Sequence, residues 1–145
     1  MHGTACAFLA TMTSEELRQR SMRFAVRVIR FCRSLPDTWE ARQLGGQLLR
    51  AATSVAMNYR GATRGRSRAE FIAKLGIVVE EADESVGWLE LIDGVELARG
   101  PELAWLLGES GELLAIFGKS QKTARENHQR IVAIRSPNRS SIAKS

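Results

Sequence analysis

Arg60, Arg64, Arg66 and Arg68 crowd one short stretch of the chain. Gly61 and Gly65 stand among them, and glycine lets backbone N–H groups come close to an anion. Ser67 and Glu70 follow at the spacing of a helix start, whose first turn carries the positive end of the helix dipole. Guanidinium groups, an open backbone and a helix N-terminus together suit phosphate. A solvated basic loop is the bland alternative. Tyr59 is read as the one aromatic platform beside it, which lends base stacking little support.

A second basic set recurs at helical spacing. Arg20, Arg23, Arg27 and Arg30 are three, four and three residues apart and share a stripe. Like charges so placed repel, so the stripe calls for phosphates or a facing acidic helix. Glu80, Glu81, Asp83, Glu84 and Glu90 offer the latter. Arg23 and Arg27 therefore join the four clustered arginines as nucleic-acid-binding candidates, in second rank.

Catalysis finds little to stand on. Glu80 and Glu84 share a helix face, but a di-iron bundle needs Glu-x-x-His on two helices. His2 and His128 lie near the ends without Cys or His partners at ligand spacing. Ser54 and Ser67 lack a His–Asp pair. No nucleotide-hydrolase phosphate loop or dinucleotide fingerprint occurs. Zinc-finger spacing, an RNA-binding sheet and a helix-turn-helix are equally missing, so sequence-specific readout has no support. We expect no enzyme, metal or cofactor.

The elements that must position these residues follow from periodicity. Thr13 and Glu16 form a capping box, and Leu17, Phe24, Val28 and Phe31 mark a helix over about 14–34, ended by Pro36. Leu44, Leu48, Ala51, Val55 and Tyr59 mark a second over about 38–59. Gly45 and Gly46 inside it each cost about 1 kcal/mol against Ala, which close approach of a neighbouring helix or a local bend explains. Phe71, Leu75, Val78, Ala82, Val86, Leu89 and Ile92 predict a third helix over about 68–93. Pro101 suits a first helical position, and Leu103, Leu106, Leu107, Leu114 and Phe117 carry a fourth to about 124. Trp88 and Trp105 read as packing residues and Trp39 as a lid on the bundle end. The fold class is all-α, an antiparallel up-down-up-down four-helix bundle over 13–126. A disordered extension is expected at 1–12 and a flexible basic tail at 127–145.

Composition agrees. The 145 residues, 44% hydrophobic and 26% charged, suffice for one core. No apolar run approaches membrane-spanning length. The apolar stretch 5–10 is short and lacks a basic flank, which argues against a secretory leader, and Met12 offers an alternative start. Cys6 and Cys32 read as reduced thiols of a cytoplasmic protein. The net charge of +5 is unevenly spread. Residues 1–78 hold 13 basic and 5 acidic side chains, 79–118 hold 1 and 10, and 119–145 hold 7 and 1. Such a partition invites pairing between helices or between copies.

Gln47, Arg50, Ala51, Ser54, Val55 and Asn58, then Ser67, Glu70 and Phe71 after a Gly/Arg-rich break, resemble the 23S rRNA intervening-sequence protein family of four-helix bundles. FIAKLGIVVEEADESVGWLEL and AIFGKSQKTARE extend the resemblance over about 15–125. It implies a ring-like homopentamer. One branch, the accessory protein of diversity-generating retroelements, binds a reverse transcriptase and nucleic acid through a basic surface; other members are encoded within ribosomal RNA genes. The usual Ala-Glu-Gly after Asn58 is here Arg60-Gly61-Ala62, which removes an acid and adds a base. The expectation is an oligomeric adaptor or assembly factor that touches RNA or DNA phosphates, with a reverse transcriptase or other protein as a further partner and no membrane. A protein–protein scaffold without nucleic acid is the alternative.

Overall fold

A computed structural model describes residues 12–136. It contains four helices: α1 (Ser14–Arg33), α2 (Trp39–Thr63), α3 (Arg68–Gly94) and α4 (Pro101–Arg135). Short connections force sequential helices antiparallel. Each packs against the next, and α1 closes against α4 through a smaller contact. The expected up-down-up-down bundle is the fold.

Local chemistry sets the starts. Thr13 accepts from the Glu16 N–H at 3.1 Å, and Glu16 accepts from the Thr13 N–H at 2.8 Å, a complete capping box. Thr38 caps α2 through the Ala41 N–H. Gly100, with φ of 108°, turns the chain into α4 and Pro101 takes the first position.

The apolar stripes meet in one core. Phe24, Val28, Leu48, Val55, Leu75, Val78, Leu89, Ile92, Leu106, Leu113 and Phe117 are essentially inaccessible. Leu44, Leu107 and Leu114 pack at its margin, while Leu113 and Ile116 take interior places. Tyr59 is buried against Phe117, ring centroids 5.2 Å apart. Ser21, Ser85 and Ser110 are buried among these and donate their hydroxyls to Leu17, Glu81 and Leu107 carbonyls, so each hydroxyl is satisfied by its own helix.

Three expectations need correction. α2 runs to Thr63 rather than 59, because Ala62 is buried and its packing carries the helix past Gly61. α4 runs to Arg135 rather than about 124, so 127–135 is helix and not tail. Apolar periodicity ends at Phe117, but Ala, Lys, Gln, Arg and Glu propagate a helix already nucleated. Trp39 is 71% exposed, too open to serve as the expected lid within the single chain. The extension at 1–11 and the end of the chain from 137 lie outside the described residues.

Candidate nucleic-acid interface

The clustered arginines occupy the bundle end where α2 turns into α3. Arg60 lies in the last turn of α2, Arg64 caps that helix, Arg66 is in the connection and Arg68 is the first residue of α3. Arg60 is half-buried and the other three are exposed. Among the described residues none of the four forms an ion pair.

The backbone behaves differently from expectation. The Arg64 N–H donates to the Gly61 carbonyl at 3.2 Å and the Gly65 N–H to Ala62 at 3.1 Å. The Arg66 N–H donates to the Glu70 carboxylate at 3.0 Å. These amides are spent within the turn. Ser67 accepts from the Glu70 N–H at 3.1 Å, so Glu70 sets its own negative charge at the start of α3. An anion therefore meets the arginine side chains rather than these three amides. Glycine fits closely at Gly65, where a Cβ would stand 3.1 Å from the Ala62 carbonyl oxygen and the turn would have to give by a few tenths of an ångström.

Two cations that the sequence reading missed join the cluster. Lys74 lies over Gly61, its Nζ within 3.2 Å of where a Cβ would be. Lys119 approaches from α4. Together with Thr123 and Asn127, each four residues on, it forms one wall of an open groove of about 680 Å³. Arg68 and Phe71 of α3 form the other wall, and Ser120 and Ala124 of α4 complete the lining. Lys119 opens the basic segment recognised from the charge count, but its approach to Arg68 depends on the antiparallel packing of α3 and α4. Tyr59, the expected aromatic platform, is withdrawn into the core, and Phe71 is the aromatic residue that meets the groove.

The α1 stripe is divided. Arg20 pairs with Glu109 and Glu112 of α4. Arg27 makes a two-pronged pair with Glu102 at 3.0 and 2.7 Å, and its guanidinium carbon lies 3.4 Å from the centre of the Trp105 ring. The Arg27 guanidinium holds the Glu102 carboxyl below the usual carboxylate range. The facing acidic helix is thus α4, not the α3 carboxylates named from sequence. Arg27 is consumed by these contacts and does not join the clustered arginines. Arg23, between Arg20 and Arg27 in sequence, is exposed and forms no ion pair among the described residues. Glu81 and Glu84 of α3 are used instead by Arg50 of α2.

No group of three or more His, Cys, Asp or Glu side chains among the described residues is placed to hold a metal ion. No described helix is long and apolar enough to cross a membrane. Cys32 donates to the Gly45 carbonyl, and burial pushes its thiol up to about 11.

The sequence matches the family described as 23S rRNA-intervening sequence protein over residues 14–119. A crystal structure of a protein of unknown function, from the S23 ribosomal protein family of Bacteroides thetaiotaomicron, is similar. Identity is 31% and the TM-score 0.70, covering 77% of this chain and 99% of that one. No curated protein matches.

Proposed function

The chain belongs to the 23S rRNA-intervening sequence protein family, and from that premise we propose that it is a non-catalytic, oligomeric adaptor or assembly factor that contacts RNA or DNA phosphates. Arg60, Arg64, Arg66 and Arg68 make the contacts, with Lys74 and Lys119 adding to the local positive field. One contrast carries the reading. Arg20, Arg27 and Arg50 have carboxylates of a neighbouring helix within reach and are paired with them, whereas the four arginines at the α2–α3 turn have no acidic partner among the described residues. Unpaired guanidinium groups at one end of a molecule attract polyanions, and binding gains from the counterions released. Arg23 and Arg27 stay in second rank, Arg27 because a phosphate there competes with Glu102.

Replacing all four arginines with Ala should weaken binding of every nucleic-acid sequence alike. The slope of log affinity against log salt should flatten by about 3 to 4, close to 0.9 for each duplex phosphate no longer neutralised. The fold should persist, since no ion pair is removed. Titration of labelled oligonucleotides at several salt concentrations checks this, and unaltered binding by the variant rejects the site.

A self-associating scaffold is favoured by a separate observation. Glu80, Asp83 and Glu90 on α3 and Arg23, Arg30 and Arg33 on α1 are exposed and form no ion pair among the described residues. Faces of opposite sign on one chain complement a second copy. The family resemblance suggests a pentamer, and a reverse transcriptase or another protein is a compatible further partner.

A further inference from the structure

We propose that the groove between α3 and α4 seats an unpaired base, so that the molecule prefers single-stranded nucleic acid to duplex. This rests on the phosphate-binding reading above and specifies its ligand. The groove combines three chemistries in one place. Phe71 presents an aromatic surface. Arg68 and Lys119 stand on opposite walls as a planar fork and a point charge, both suited to phosphate. Thr123 and Asn127 add a hydroxyl and an amide for sugar or base edges. No carboxylate is among the lining residues. A volume of about 680 Å³ lies within the range of small-ligand sites, enough for a base with its sugar. Bases in a duplex are stacked inward and do not reach such a surface, whereas every unpaired base has a face to stack on an aromatic ring.

The groove depends on the length of α4. Thr123, Ala124 and Asn127 lie in its later turns, past the apolar stripe that ends at Phe117. Those turns are what convert the flank of α3 into a groove. The unpaired arginines Arg64 and Arg66 lie just ahead of Arg68, so a strand leaving the groove passes along them.

The test compares a labelled mixed-sequence oligonucleotide, as RNA and as DNA, single-stranded and in duplex. Wild type should bind the single strands more tightly. Phe71→Leu keeps apolar volume and removes the aromatic face; Ala124→Leu fills the groove without altering charge. Each should weaken single-strand binding by about 5- to 150-fold and duplex binding by less than about 2-fold, the first range being that of lost base stacking. The quadruple arginine variant should weaken both ligands. Equal wild-type affinity for single strand and duplex, with the ratio unmoved in both leucine variants, overturns the inference and leaves the phosphate reading intact. Absence of binding to every ligand at low salt removes the phosphate reading and this inference with it. If either leucine variant changes the size of the protein free of nucleic acid, the groove is a contact between copies and the inference fails.

Discussion

Arg20 and Glu109 are the most enclosed ion pair among the described residues, with side chains 14% and 11% exposed. Glu112 adds a second carboxylate from the exposed side. Removing the cation leaves Glu109 shielded from water and unpaired. Arg20→Leu should therefore destabilise the bundle by about 2 kcal/mol, between the cost of an exposed pair and that of a buried one. Adding Glu109→Leu should recover most of the loss, because no charge is then stranded. Urea denaturation of the two variants checks both outcomes. Arg27 and Arg50 are more open, and their pairs choose which helices meet more than they stabilise the meeting. Sequence spacing revealed the stripe from Arg20 to Arg30 but not its partition. Arg20 and Arg27 found acids on α4, and the residue between them did not.

At the scale of elements, helix centres and starts were legible, and so were the ends of α1 and α3, whereas the ends of α2 and α4 were not. Apolar residues at steps of three and four located all four helices, since only a helix places Phe24, Val28 and Phe31 on one face. Ends depend on what lies alongside. Buried Ala62 prolongs α2, and the last turns of α4 persist on intrinsic propensity with little apolar signal. The glycine pair in α2 makes the same point. A Cβ at Gly45 would meet the Leu35 Cδ1 at 3.0 Å, a close approach from the connection after α1 rather than from the neighbouring helix itself. At Gly46 a Cβ would meet nothing within 4 Å, so its neighbour's explanation does not apply. Gly46→Ala should raise stability by about 1 kcal/mol, seen as a higher melting temperature. Gly45→Ala should gain less, since Leu35 must shift.

For the whole molecule, the uneven charge distribution is only partly resolved within one chain. Cross-helix pairs account for Arg20, Arg27 and Arg50, while the outer acids of α3 and the outer arginines of α1 remain free among the described residues. Association between copies through these faces should be salt-sensitive. The chain should sediment as an oligomer near ~50 mM salt and lose mass toward ~1 M, where screening acts within a few ångströms. A sedimentation coefficient indifferent to salt assigns those charges to another role. The amino-acid sequence by itself determined the class of fold, the four helices and their order, and the crowding of arginines around the α2–α3 turn. Periodicity, caps and short connections are local properties, written along the chain. Only the tertiary structure decided which arginines stay free, that the Arg64, Gly65 and Arg66 amides are spent internally, and that Phe71 and Lys119 line one groove. Those outcomes depend on residues far apart in the chain, brought together by the packing of α3 on α4 and α1 on α4.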